Sequence, residues 1–173
     1  HQQFGTATVR LAHPRRRRVD FATCRRETYA RPAAYPRVAP GNLEEDLFRR
    51  DFTINAMAVA LSPARFGTLV DPFHGARDLR RKQVRILHAR SLLDDPSRIL
   101  RGIRFAQRFG LRWEPAAREA LEHALSQGAL TGLNRGRLQK ELGRMSDEPD
   151  PAACFEQLAA CLEKPPRTFC FVP

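Results

Sequence analysis

The chain has 173 residues, 42% hydrophobic and 28% charged, enough apolar material for one good core or two small ones in a soluble globular protein. Its net charge is +11, and all but three of its 30 basic residues are arginine. An excess of that size points to a polyanionic partner, nucleic acid before an acidic membrane surface, and arginine's planar fork suits phosphates and base edges.

The membrane reading is weak, because the sequence has neither an apolar run of about 18 residues nor a Lys-rich amphipathic helix. It has no signal peptide either. Cys24, Cys154, Cys161 and Cys170 form no CxxC pair and have no histidines at metal-ligand spacing, so zinc is not expected. A reduced, cytoplasmic protein is the simple inference, with Cys154 and Cys161 sharing one buried helix face. The start at His1, without methionine or cap, suggests a piece of something longer.

In chain order, 4–12 alternates and is β-prone at Thr6, Thr8 and Val9, a basic turn covers 15–18, and a second strand covers 18–23. Together they read as an antiparallel hairpin. Val19 and Phe21 would share one face, leaving Asp20 on the other, either solvated or holding a divalent cation. The segment 25–41 has Pro32, Pro36, Pro40 and no apolar period, and reads as an extended loop of about 15 residues. Its arginines, interleaved with Tyr29 and Tyr35, either track a nucleic-acid backbone or merely connect.

Asn42 with Glu45 makes a capping box for a helix over 43–61, whose buried stripe would be Leu47, Ile54, Met57 and Leu61. Arg50, Asp51 and Asn55 would then gather on an exposed face, suited to a ligand rich in hydroxyls and phosphates, or form a solvated face with an Asp–Arg pair. A short strand at 68–71, a turn and brief helix over 72–80, and a strand at 84–88 follow. From Leu92 onward only helices are expected, about 95–109, 115–126, 134–145 and 150–163, with Asp95-Pro96 as a start and Gly110 as a stop. Strands before helices give an α+β piece joined to an all-helical piece near position 89.

Asp95 and Arg98 are three apart on a first helical turn, so an acceptor can stand beside a donor. Cytosine and adenine each offer an exocyclic amino group next to an unprotonated ring nitrogen, whereas uracil and guanine would oppose donor to donor and leave a buried group unpaired. The alternative is that Asp95 caps the helix and pairs with Arg98.

The series Val19-Asp20-Phe21-Ala22-Thr23, Arg26-Glu27-Thr28-Tyr29, Glu44 to Ala56, Asp71-Pro72-Phe73-His74-Gly75 with Asp78-Leu79, and Asp95-Pro96-Ser97-Arg98 to Phe105 closely resembles the bacterial class II tRNA nucleotidyltransferase and poly(A) polymerase family. The resemblance covers roughly 4–145 in motif order and spacing. It implies a polymerase-β-like head over 1–88, lacking its N-terminal part, a helical neck over 89–145, and the start of a helical body over 146–173. It also implies template-independent addition of C and A to the 3′ end of tRNA from CTP and ATP with Mg²⁺.

By the same resemblance, Arg50 and Asp51 contact the ribose of the incoming nucleotide, with Asn55 beside them. Asp94, Asp95, Arg98 and Arg101 line the nucleotide, and Asp95 with Arg98 reads the base. Asp94 stands where the family usually has Glu. Arg137 and Glu141 brace the readers, and Asp71, Gly75 and Asp78 form a linker motif. The loop 26–40, with Arg26, Tyr29, Arg31 and Arg37 toward RNA, is associated with adding the terminal A. Asp20 stands as the third carboxylate of the metal site, the family's Asp-x-Asp pair being expected upstream of the Phe4-Gly5-Thr6 strand. One carboxylate does not easily hold two Mg²⁺ ions. CCA addition, A-only addition and polyadenylation share these motifs, the long loop argues against a CC-only enzyme, and a non-catalytic tRNA- or nucleotide-binding module is the other class of reading.

Overall fold

The computed structural model describes residues 5–11 and 18–163. His1, Phe4, Ala12, the basic turn at 15–17 and Cys170 therefore lie outside the described residues. The hairpin is present: β1 (Thr6–Arg10) pairs antiparallel with β2 (Arg18–Ala22). The register sets Thr8 opposite Asp20 and Val9 opposite Val19, so Asp20 lies on the face opposite Val19 and Phe21, as alternation requires.

The segment 25–41 is not an extended loop. It folds into a second hairpin, β3 (Arg25–Thr28) against β4 (Arg37–Pro40), with Glu27 opposite Val38. Pro40 pairs with Arg25 at the end of the ladder, a place where a missing N–H is tolerated, and that is how a proline-rich stretch conceals a strand.

α1 (Leu43–Phe48) begins with the expected capping box, in which Glu45 N donates to Asn42 Oδ1 at 2.9 Å and Asn42 N to Glu45 Oε2 at 2.8 Å. The helix does not run to position 61. It stops at Phe48 because the chain turns to pair with 85–86: Thr53 N donates to Arg85 O at 2.9 Å and Phe52 bridges Ile86. Phe52 is then fully buried, edge-on to Phe105 and Trp113, and that burial outweighs continued helical periodicity. A 3₁₀ turn (Thr53–Asn55) and a small antiparallel pair follow, β5 (Ala58–Val59) with β6 (Leu69–Val70). Leu61, expected in the buried stripe, is exposed.

α2 (Gly75–Arg80) leads to β7 (Gln83–Val84), shorter than the strand expected over 84–88. Next come α3 (Ser91–Asp94), which the sequence reading missed, and α4 (Ser97–Phe109). Gly110, in the left-handed region at φ 59°, ends α4 as foreseen. The remainder is not purely helical. β8 (Arg112–Trp113) runs parallel to β7, with Val84 opposite Trp113. Two residues are too few to show alternation, so this strand had no periodic signature. α5 (Pro115–Ser126), α6 (Arg135–Ser146) and α7 (Pro151–Glu163) lie within a residue of the expected ranges, and α7 buries Cys154 and Cys161.

One continuous apolar core joins Phe52 and Val84 to Leu92, Ile99, Ile103, Trp113 and Met145. The β7–β8 ladder crosses position 89, so the strands and helices on either side share this core. Gly102 is required where α4 passes Trp113, since a Cβ there would lie 2.3 Å from Trp113 Cη2. No helix among the described residues is long and apolar enough to cross a membrane.

Candidate nucleotide-binding site

Two clefts open where β3, the end of α1, α3 and α4 converge. The smaller, about 460 Å³, is lined by Arg50, Asp51, Asn55, Asp95, Arg98 and Arg101, together with Arg137 from α6. The break in the predicted helix is what makes this possible. Asp51 and Asn55 do not share an exposed face. Asp51 is 3% exposed and Asn55 sits on the 3₁₀ turn, both lining the cleft.

Asp46 lines neither cleft but holds the arginines beside them. Its Oδ1 accepts from Arg49 Nη2 at 2.8 Å and Arg25 N at 3.2 Å, and its Oδ2 from Arg50 Nη2 at 3.3 Å. Burial alone would raise the Asp46 pKa, but these donors hold it below its ordinary value. Arg50 Nη1 also donates to Asn55 O at 3.0 Å, tying the helix end to the 3₁₀ turn. Arg101 Nη2 stands 2.7 Å from Asp51 Oδ2 as an ion pair that lacks hydrogen-bond alignment.

Four buried atoms of cleft-lining residues have no hydrogen-bond partner: Asp51 Oδ2, Asn55 Oδ1, Arg101 Nε and Arg137 Nη1. Asp51 Oδ2 keeps its ion pair with Arg101, and each of the other three costs about 1–3 kcal/mol if left unmet. These two acceptors and two donors belong to residues lining one cleft, a setting that suits a polar ligand carrying both kinds of group.

Asp95, one residue before the Pro96 N-cap of α4, accepts at Oδ1 from Ser97 N at 3.1 Å and Ser97 Oγ at 2.6 Å. The same oxygen pairs with Arg137, not with Arg98, so the ion pair with Arg98, the alternative to a reading role, is absent among the described residues. Among the described residues no hydrogen bond or ion pair reaches Oδ2. Arg98, 3% exposed, donates from Nη1 to Ser91 Oγ at 2.6 Å and from Nη2 to Arg49 O at 2.7 Å. An acceptor and a rigidly held guanidinium thus line one cleft, each fixed by other partners.

The larger cleft, about 670 Å³, receives Asp94, which does not line the smaller one. Arg26 also lines it, 3.7 Å from Glu45. Tyr29 lines both clefts, and burial pushes its phenol up to about 12. Arg31 and Arg37 are exposed and line neither. Tyr35, at the hairpin tip, lies under the Arg137 guanidinium at 5.7 Å.

Arg137 touches Asp95 and Ser97, but Glu141 bonds Arg144 at 2.5 Å and touches neither reading residue. The residues 71, 75 and 78 support the 3₁₀ turn. Asp71 accepts from Gly75 N at 2.6 Å and Ala76 N at 2.9 Å, and Asp78 accepts from Thr53 Oγ1 and Arg85 Nε, both at 2.7 Å. Gly75 packs so close that a Cβ would lie 2.1 Å from Thr53 O.

Asp20 lines neither cleft. Thr8 Oγ1 donates to it at 2.6 Å and Arg18 Nη2 at 2.9 Å, and the Thr8 bond chiefly holds its carboxyl below the ordinary value. No group of three His, Cys, Asp or Glu side chains able to hold a metal occurs among the described residues. With one carboxylate already engaged by a hydroxyl and a guanidinium, the described residues do not by themselves fit Mg²⁺.

Sequence reasoning missed Asp46, Arg49, Ser91, Ser97 and Glu27. Glu27 accepts from Arg25, Arg49 and Tyr29 and lies in the walls of both clefts. The available signal was acid at helical spacing from arginine, as in Asp46 with Arg49 and Arg50.

Residues 1–85 match the Poly A polymerase head domain. The A-adding tRNA nucleotidyltransferase of Aquifex aeolicus is 47% identical over 140 residues, 81% of this chain and 17% of that protein. The chain belongs to the tRNA nucleotidyltransferase and poly(A) polymerase family. The CC-adding tRNA nucleotidyltransferase of Deinococcus radiodurans is 39% identical, covering 87% of the chain and 39% of the relative. A tRNA nucleotidyltransferase solved with a primer tRNA and an incoming ATP analogue superposes with a TM-score of 0.82 at 39% identity, over 92% of this chain and 43% of that one. The chain thus spans less than half the length of these relatives, and its mixed α+β architecture is that of the family.

Proposed function

We propose that this chain is the nucleotide-selecting part of a cytoplasmic tRNA nucleotidyltransferase, one that adds C, A or both to the 3′ end of tRNA from CTP and ATP. The observation that carries the reading is that Arg50, Asp51, Asn55, Asp95, Arg98 and Arg101 line one cleft, with buried polar atoms of Asp51, Asn55, Arg101 and Arg137 that make no hydrogen bond. Arg50, Asp51 and Asn55 would hold the ribose, and Asp95 and Arg98, with Arg101, would meet the base. Asp95 Oδ2 is the free acceptor for an exocyclic amino group. Arg98 still has N–H groups beyond those given to Ser91 and Arg49, and these are the donors for the ring nitrogen.

Arg137 braces Asp95 directly, and Glu141 acts at one remove by shaping α6. Asp71, Gly75 and Asp78 set the 3₁₀ turn that carries Asn55, and Arg26, Tyr29, Arg31 and Arg37 form the RNA-facing hairpin. The chain divides into a head over 1–88, a neck over 89–145 and a body from 146, with the first two fused through one core. Mg²⁺ belongs to the chemistry of the whole protein, with Asp20 as one carboxylate of its site.

The test is equilibrium binding of the four nucleoside triphosphates to this chain. ATP and CTP should bind at least about tenfold more tightly than GTP and UTP, the discrimination that a buried mismatched donor imposes. Equal affinities would overturn the reading.

A further inference from the structure

We propose that the larger cleft is a second binding site, for an unpaired nucleobase with an exocyclic amino group within an RNA strand. The proposal rests on the reading that the smaller cleft takes the incoming nucleotide.

The floor of the larger cleft is aromatic. Phe48, at the end of α1, is 44% exposed, yet its ring lies 5.7 Å from Phe73 and 5.4 Å from His88. Burial, aided by Arg98, lowers the His88 pKa and keeps the imidazole a neutral flat ring at pH 7. Rings left open in this way suit a stacked base.

The cleft also holds acceptors. α3 ends at Asp94, and Asp95 turns extended at φ −133° and ψ 90°, so consecutive acids face different clefts. Asp94 and Glu44 line the larger one and would meet amino hydrogens. The same carboxylates repel a triphosphate, which argues for a base whose phosphates stay at the rim. Arg26, which lines the cleft, is 59% exposed, and Arg90, outside its lining but 3.6 Å from Asp94, is 69% exposed.

Only one wall, of Glu27, Tyr29, Arg49 and Arg98, separates this cleft from the smaller one. A base of the RNA and the incoming nucleotide would therefore bind on the two sides of the same Arg98.

The test titrates the chain with a short single-stranded oligoribonucleotide ending in 2-aminopurine, read by its fluorescence, alongside ATP binding. Phe48→Ala is expected to weaken the oligonucleotide about tenfold, the worth of one stacked base, and to leave ATP within about twofold. Asp94→Asn should abolish a preference for competitor strands ending in cytosine over uracil. Phe48→Leu keeps apolar volume without the flat face, so it should lose the fluorescence quench at an unchanged melting temperature. Unchanged oligonucleotide affinity in Phe48→Ala, undiminished quenching in Phe48→Leu, or a parallel fall for ATP and oligonucleotide would overturn the proposal. Should Asp51→Asn leave ATP affinity intact, the smaller-cleft reading fails, and the Phe48 variants still decide the larger cleft.

Discussion

Arg98 Nη2 donates to the main-chain oxygen of Arg49 at 2.7 Å, joining the first turn of α4 to the end of α1. One side chain thus lies in the walls of both clefts and latches together the segments that form them. Arg98→Ala would leave Ser91 Oγ and Arg49 O without their donors. We expect a loss of about 2–4 kcal/mol, from two charge-assisted bonds, and loss of ATP and CTP preference. Denaturant unfolding with nucleotide titration checks both; a variant of native stability would mean the latch contributes nothing. Asp95→Ala should relax base selection while leaving RNA affinity nearly unchanged.

Acid should loosen the packing of α4 against the turn between α6 and α7. Glu148 accepts from Arg104 at 2.9 Å and Arg108 at 2.6 Å. Burial would raise its pKa, but the two arginines hold it below the ordinary 4.5. Asp46 is likewise held below 3.8. A carboxylate with a depressed folded pKa contributes stability above its unfolded pKa and loses it as pH falls through the folded one. Stability should therefore decline from about pH 4.5 downward. Glu148→Gln should be less stable at neutral pH by about 2 kcal/mol and show a shallower acid decline. Thermal melts from pH 3 to 7 measure both; an identical slope would remove Glu148 from the acid response.

The turn at Phe52 matters more to folding than its helical neighbours suggest. Phe52→Ala should cost about 3–5 kcal/mol, because the ring is fully buried between Phe105 and Trp113. Leu61→Ala, at an exposed side chain, should change stability by less than about 0.5 kcal/mol. Similar costs for the two would restore the long helix.

RNA affinity should fall steeply with salt. With a net charge of +11, log K is expected to decline linearly with log salt, by about 0.7 for each phosphate contacted on a single strand. Arg26→Gln should reduce that slope, and a flat response would dissociate the charge from RNA.

Local signals explain what was legible in the sequence. The Asn42 capping box, the Gly110 stop and the helices that follow were readable because caps and 3.6-residue periodicity act within a few residues. The hairpin at 25–40 was hidden by prolines sitting at its margins, and the break after Phe48 by a ring whose burial is decided by Trp113, far along the chain. Arg50, Asp51, Asn55, Asp95, Arg98 and Arg101 do line one cleft, but their partners were not legible. Asp95 binds Arg137 and Arg98 binds Arg49, pairings that arise only when separate helices meet.

The parallel ladder of Gln83–Val84 with Arg112–Trp113 has a thermodynamic consequence. Neither portion can unfold without stripping the other of main-chain bonds and exposing the shared core. Calorimetry should therefore record a single transition, with van't Hoff and calorimetric enthalpies in agreement, and amides of Val84 and Glu114 should exchange only through global opening. The strand segments and the helical array would then melt as one cooperative unit.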